Sequence, residues 1–147
     1  MGSIPKFVQP HIDAAFPAHV CLVASCLADG YAQVTPRGSV QVYDDNTISL
    51  WERGRGSTNE QMHDGSKLTI FYFNYELTSG PLPIAGIARL YGTAEIHKSG
   101  PVYDRVWERL IQPEKDRDPD KGGFAVLVRI ERAEDLLGRP LEEPAAA

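Results

Sequence analysis

Short apolar runs separated by turn-forming residues dominate the chain, and this pattern predicts β-strands rather than long helices. Seven such runs lie over residues 19–26, 31–35, 39–43, 47–52, 67–74, 84–97 and 124–130. Asp29-Gly30 is a turn signal between the first two runs, and Asp44-Asp45-Asn46 is typical of a hairpin turn. Because the linking segments are mostly short, we expect neighbouring strands to pair antiparallel.

One longer segment, residues 101–111, has the spacing of an amphipathic helix. Val102, Val106 and Leu110 recur on one side, and charged residues such as Glu108 lie largely opposite. A second helix is expected to begin near Ser57, a helical turn lies within residues 4–17, and residues 113–123 are expected to form a charged loop. Six or seven antiparallel strands with two or three short helices predict a mainly β (α+β) fold, a closed or nearly closed barrel.

Length and charge limit the possible partners. The 147 residues predict a single domain, with about residues 1–15 as an N-terminal arm and 140–147 as a flexible tail. Fifteen Lys+Arg against 20 Asp+Glu give a net charge of −5, which does not favour a general nucleic-acid binder. No apolar run approaches the roughly 18 residues of a membrane-spanning helix, and a secretory signal is absent. We therefore expect a cytoplasmic protein without nucleic-acid or membrane partners.

Histidines and cysteines give no metal or redox signature. The four histidines are far apart along the chain, and none forms a pair at the spacing of metal ligands. Cys21 and Cys26 lie within an apolar segment. We expect both to be buried thiols rather than a disulfide or a redox pair.

A basic, glycine-rich loop over residues 53–60 is the strongest candidate for ligand chemistry. Ser57 and Glu60 have the spacing of a capping box, which alone would explain these two residues. It leaves unexplained the glycines and the two arginines just upstream, Arg53 and Arg55. Glycines let backbone amides converge on one point, and a helix N-terminus adds partial positive charge there. The loop therefore predicts a phosphate site that needs no metal.

A second cluster, Arg37-Gly38-Ser39, lies one hairpin upstream. An exposed turn would explain Arg37 and Gly38 taken alone. Strands this close in sequence usually pair, however, so the alternative is a cavity shared with the basic loop. Trp51 lies just before that loop, and we interpret it as a core residue in preference to a cofactor wall.

In order and sequence, these motifs resemble the pyridoxamine 5′-phosphate oxidase-like flavin-binding split barrels. The matching motifs are Thr35-Pro36-Arg37-Gly38-Ser39, Leu50-Trp51-Glu52-Arg53-Gly54-Arg55-Gly56-Ser57-Thr58, Ala88-Arg89-Leu90-Tyr91-Gly92 and the helix with Trp107. The resemblance covers about residues 15–137. It implies a split β-barrel that binds FMN (flavin mononucleotide) at a homodimer interface.

The resemblance also implies a set of cofactor-binding residues. These are Arg37, Gly38, Ser39, Arg53, Arg55, Gly56, Ser57, Thr58 and Arg89. Residues 55–58 would hold the phosphate at a helix start, and Arg89 would approach the flavin from the barrel wall. Gly56-Ser57-Thr58 stands where the oxidase itself has Ser-Arg-Lys, and an Arg-x-His pattern is missing near the end of the chain. Pyridoxamine phosphate is therefore not the implied substrate.

The implied function is an FMN-dependent oxidoreductase that acts on a small organic molecule, with no catalytic side chain singled out by the sequence. The flavin ring would carry the redox chemistry, and the protein would bind and orient it. The alternative is a non-catalytic protein that binds a flavin or a related anionic cofactor. A third possibility is a relative that uses haem or a deazaflavin, or one that has lost its cofactor.

Overall fold

A computed structural model describes residues 2–53 and 62–142 of the chain. Its strands are β1 (Leu22–Cys26), β2 (Ala32–Pro36), β3 (Gln41–Asp44), β4 (Thr47–Glu52), β5 (Lys67–Phe73), β6 (Ile87–His97) and β7 (Phe124–Glu134). Its helices are α1 (Gln9–Asp13), a 3-10 helix (Tyr75–Ser79), α2 (Pro101–Arg109) and α3 (Gln112–Asp116). The predicted mainly β fold with six or seven antiparallel strands is confirmed.

Two elements differ from the prediction. Helix α3 lies in the segment expected to be a charged loop, and it begins with a proline in its first turn, where a missing N–H costs no hydrogen bond. Strand β7 continues to Glu134, four residues beyond its predicted end, because Arg89 of β6 pairs with Glu134. The exposed side chains of Arg129 and Glu131 give this part of β7 a polar sequence.

The seven strands form one sheet in the order β2-β1-β5-β6-β7-β4-β3, so β2 and β3 are its two edges. This sheet is the split barrel expected from the sequence. Side chains alternate between its faces, and the inner face carries the main core, with Ile48, Leu50 and Ile70 fully buried. At the β6–β7 pairing the register shifts beside Gly92. A side chain there would collide with the carbonyl oxygen of Arg129.

The N-terminal segment belongs to the core rather than lying on it as a loose arm. Ile4, Val8 and Ile12 are buried in the main core. The amide of Gly2 donates to the carbonyl of Ile130 at 3.1 Å, and the amide of Ile4 to that of Asp45 at 2.7 Å. The start of this segment is therefore fixed to the barrel by backbone hydrogen bonds.

Helix α2 covers one half of the outer face of the sheet. Val106 and Leu110 pack on Trp51 of β4 and on Ala125 and Leu127 of β7 in a second buried cluster. The apolar side predicted for this helix is confirmed, and so is the interpretation of Trp51 as a core residue. At nine residues α2 is the longest helix of the described chain, and no helix among these residues is long and apolar enough to cross a membrane.

The other half of the outer face, formed by β2, β1, β5 and β6, carries exposed apolar side chains; we call it the open face. Its strand register places Val34, Ala24, Thr69 and Tyr91 in one row across the four strands. Val34 is 58% exposed and Phe73, further along β5, is 48% exposed. Exposed apolar side chains grouped on one sheet face are typical of an interaction surface.

Candidate functional site

The predicted cofactor-binding residues divide into those that the structure describes and those that it does not. Arg55, Gly56, Ser57 and Thr58 lie outside the described residues, as does the start of the helix expected after them. Arg37, Gly38, Ser39, Arg53 and Arg89 are described. Their positions give the geometry of the candidate site.

Arg37 and Ser39 lie against the end of β4, where the basic loop begins. Arg37 Nη2 is 2.7 Å from Glu52 Oε2, and both side chains are largely buried. Ser39 Oγ accepts a hydrogen bond from the amide of Trp51 at 3.1 Å and donates to the carbonyl of the same residue at 3.4 Å. The two clusters that the sequence analysis singled out therefore adjoin, although contacts within the protein already engage Arg37 and Ser39.

Arg89 lies on the open face, away from this junction. The register across β2, β1, β5 and β6 runs Pro36, Leu22, Phe71, Arg89, so three strand spacings, about 14 Å, separate Arg89 from the end of β2. Arg89 Nη1 donates to Glu134 Oε1 at 3.2 Å. Its guanidinium pKa is raised, chiefly by the hydrogen bond with Tyr91, against an opposing effect of burial, and the hydrogen bond with Glu134 raises it further. Within one chain, Arg89 and Arg37 are therefore too far apart to contact the same group of a ligand.

Among the described residues, a cavity and a groove are each large enough to bind a small molecule. A cavity of about 370 Å³ lies on the open face, with Cys26, Lys67, Tyr91 and Arg132 among its lining residues. A groove of about 800 Å³ lies at one end of the barrel, at the point where the described chain resumes with Met62. We call the second surface the end groove.

The end groove carries two lysines and two aromatic rings, together with the carboxylate of Asp64. Lys98 Nζ lies 5.5 Å from the centroid of the Phe124 ring, and Lys121 Nζ lies 5.1 Å from that of Tyr103; all four residues line the groove. Gly123, also in the lining, packs so closely on the backbone of Arg53 and Glu52 that it has no room for a side chain. The groove therefore adjoins the first residue of the basic loop and offers cations beside ring faces.

Sequence reasoning did not single out Glu52, Lys98 or Lys121. Strand alternation was the available signal for Glu52, because Ile48 and Leu50 at the two preceding alternate positions are core residues. The lysines lie far apart in sequence, so only the tertiary fold brings them together. The described residues hold no group of three His, Cys, Asp or Glu side chains that could bind a metal.

The two cysteines differ in their surroundings, and both are free. Cys21 is buried, and burial raises the pKa of its thiol to about 12. Cys26 is exposed, and it lies on the open face next to Lys67 in the 370 Å³ cavity. The prediction of a buried thiol is correct for Cys21 and wrong for Cys26, since the outermost residues of β1 extend beyond the core.

Comparison with solved structures supports the fold assignment. HupZ of Group A Streptococcus superimposes with a TM-score of 0.68 at 22% identity, covering 95% of this chain and 98% of that one. A pyridoxamine 5′-phosphate oxidase-like protein from Lactobacillus delbrueckii gives 0.59 at 22% identity, covering 91% and 99%. An FMN-binding protein from Syntrophomonas wolfei gives 0.58 at 13% identity, covering 86% and 82%. At these identities the likeness shows the fold alone.

Comparison of sequences gives the family. No curated protein matches this chain. The family profile of pyridoxamine 5′-phosphate oxidase matches residues 9–135, which include every described strand and both clusters of candidate residues. The chain therefore belongs to the pyridoxamine 5′-phosphate oxidase family.

Proposed function

We propose that this protein is a cytoplasmic, homodimeric flavoprotein that binds FMN and catalyses a redox reaction of a small organic molecule. Membership of the family supports the flavin, and one structural relative is an FMN-binding protein. The single observation that carries the proposal is the end groove. Its basic and aromatic lining adjoins Arg53, the first residue of the loop in which the sequence predicts a phosphate site.

The side chains of this region fit an aromatic anion. Lys98 and Lys121 supply positive charge, and Phe124 and Tyr103 supply ring surfaces of the kind that flat ligands pack against. Arg53 is exposed at the edge and is proposed to bind the phosphate together with residues 55–58. Bound FMN would supply hydride transfer, while the protein supplies binding, orientation and electrostatics.

A second copy of the chain is proposed to complete the site through the open face. Within one chain about 14 Å separates Arg89 from the end of β2, so a shared role for Arg89 and the Arg37-Gly38-Ser39 cluster needs residues from two subunits. A two-fold related pair would bury Val34 and Phe73 and bring Arg89 of one copy towards the loop of the other. The exposed free thiol of Cys26 fits a reducing compartment such as the cytoplasm.

The direct test is the absorbance spectrum of the purified protein, followed by fluorescence-quenching titrations with FMN and with riboflavin. FMN should bind more tightly, because riboflavin lacks the phosphate that the basic loop would hold. Equal affinities, or binding of neither flavin, would contradict the proposal. Oxidation of a reduced nicotinamide or a reduced deazaflavin by the loaded protein then separates an enzyme from a protein that only holds the flavin.

A further inference from the structure

Arg37 and Glu52 form an ion pair that closes the barrel where its sheet is split. Glu52 ends β4 and shares its inner-facing side with Ile48 and Leu50, so its carboxylate lies buried inside the end of the barrel. Arg37 follows β2, at one edge of the sheet, whereas β4 lies next to the opposite edge. The 2.7 Å contact between Nη2 and Oε2 therefore joins the two sides of the split.

Because Glu52 neutralises Arg37, the pair has no net charge with which to attract an anionic ligand. The guanidinium side chain is only 13% exposed, and its partner carboxylate is 2% exposed. Arg37 Nε and Glu52 Oε2 make no aligned hydrogen bond with other described groups, so their mutual attraction is the main compensation for removing these charges from water. An incoming anion at Arg37 would meet the nearby Glu52 carboxylate in a region where water screens charge poorly.

A second buried carboxylate, beside Gly38, also disfavours an anion next to Arg37. Glu114 of α3 is 6% exposed, and its Oε1 occupies the space in which a side chain on Gly38 would lie. Among the described residues, the cation nearest to it is Arg117, which is 3.7 Å away and half exposed. Buried negative charge therefore flanks both Arg37 and Gly38.

We propose that Glu52 determines the charge specificity of the cofactor site. By neutralising Arg37 it excludes an anionic group from the Arg37–Gly38 end of the site and admits an uncharged part of the ligand there. The phosphate is thereby left to cations away from this end, of which Arg53 is described and exposed. This inference rests on the proposed FMN function and makes Arg37 a structural residue rather than a phosphate ligand. In the competing role, Glu52 holds Arg37 in position for the phosphate. Removing the Glu52 charge would then weaken FMN binding, whereas the present inference expects it to strengthen.

The variant Glu52→Gln removes the charge at nearly constant volume and leaves Arg37 free to bind an anion. FMN affinity should rise about tenfold, the gain from one charge-assisted hydrogen bond, while riboflavin affinity stays within about twofold. Unchanged or weaker FMN binding would overturn the inference. Glu108→Gln, at an exposed position of α2, makes the same change in net charge away from the site and should alter neither affinity.

The double variant Arg37→Gln/Glu52→Gln covers the case in which the single variant fails to fold, since replacing both members of a buried pair costs less than removing one. It should bind FMN as the unmodified protein does. A tenfold or greater loss would identify Arg37 as a phosphate ligand and overturn the inference.

Inorganic phosphate as a probe separates this inference from the proposed function. If the unmodified protein binds neither flavin, the proposed function fails, and the effect of phosphate on the thermal midpoint of each variant still decides the role of Glu52. The inferred role of Glu52 is supported if phosphate raises the thermal midpoint of Glu52→Gln more than that of the unmodified protein and of Glu108→Gln. Equal stabilisation in all three proteins would overturn it.

Discussion

The hydroxyl of Tyr91 donates a hydrogen bond to Glu134 Oε1 at 2.5 Å, across the junction of β6 and β7 at the border of the open face. Arg89 donates to the same oxygen at 3.2 Å, and the guanidinium of Arg132 lies over the Tyr91 ring at 4.3 Å. Because these partners favour the charged carboxylate, the hydrogen bond from Tyr91 first, the pKa of Glu134 lies below its ordinary value. Two arginines, a tyrosine and a glutamate thus form one network at the edge of the apolar surface.

The network predicts that Glu134 stabilises the fold in a pH-dependent way. A carboxyl group whose folded pKa is lowered contributes stability above its unfolded pKa, and loses it as the pH falls through the folded value. The cost of Glu134→Gln in urea unfolding should therefore be present at neutral pH and shrink as the pH falls below 4.5, the ordinary value for this group. Glu108→Gln on α2 is the control. A cost of Glu134→Gln that does not change with pH would contradict the prediction.

Arg55 is expected to hold the FMN phosphate, so Arg55→Ala should weaken FMN binding. Loss of one charge-assisted hydrogen bond costs about 1.5–3 kcal/mol, equivalent to about 10- to 150-fold in affinity. Arg105→Ala removes an equal charge at an exposed position of α2, where the guanidinium stacks on Tyr43, and should leave FMN binding unchanged. Quenching titrations compare the two variants. If Arg55→Ala changes FMN affinity by less than about threefold, the phosphate is held by Arg53 or another cation instead.

The second core beneath α2 predicts a large stability effect at Leu110. This side chain is 5% exposed and packs with Val106, Trp51 and Leu127, so Leu110→Ala should lower the free energy of unfolding by about 2–5 kcal/mol. Leu137→Ala makes the same substitution at a residue that is 65% exposed, and should cost about 0.5 kcal/mol or less. Chemical denaturation of both variants gives the comparison. Similar losses in the free energy of unfolding at the two positions would mean that the packing of α2 on this cluster contributes little to stability.

The strands could be predicted from sequence because their signal is local. Periodicity of two within β4 and β5, and the turn at Asp29-Gly30, where Gly30 adopts a φ of 90°, are properties of neighbouring residues. The end of β7 could not be predicted, because the pairing of Glu134 with Arg89 depends on a partner residue 45 positions earlier in the chain. Helix α3 was missed for a related reason, since its sequence is polar apart from a proline and it is too short for periodicity to indicate a helix.

The candidate site shows the same division between local and tertiary information. Sequence patterns identified Arg37 and Arg53 as candidates, and tertiary contacts then placed Arg37 against Glu52. Charge pairing of this kind is not visible in a list of basic residues, because the partner strands are assembled only in the folded sheet. The same holds for Lys98 and Lys121, which the fold brings to one groove.

The open face predicts a homodimer that dissociates when a charge is placed within it. Val34 is 58% exposed in the chain and would become buried in the dimer, so Val34→Asp would leave an unpaired carboxylate in the interface at a cost of several kcal/mol. Light scattering over a dilution series should show a dimer for the unmodified protein and a monomer for Val34→Asp. Ala18→Asp introduces the same charge at an exposed residue outside the open face and should remain dimeric.

FMN should tighten the same dimer, because a ligand that binds between subunits stabilises the assembled state by mass action. Linkage requires the reverse as well: if FMN shifts the dilution midpoint tenfold, the dimer must bind FMN correspondingly more tightly than the monomer. Removing FMN from the unmodified protein should therefore raise the protein concentration at which the dimer dissociates. Val34→Asp should lose FMN affinity although it changes no phosphate ligand. A Val34→Asp monomer that still binds one FMN per chain with unchanged affinity would show that each chain holds the cofactor by itself. Arg89 would then have no role in a shared site, because three strand spacings, about 14 Å, separate it from the end of β2 in its own chain.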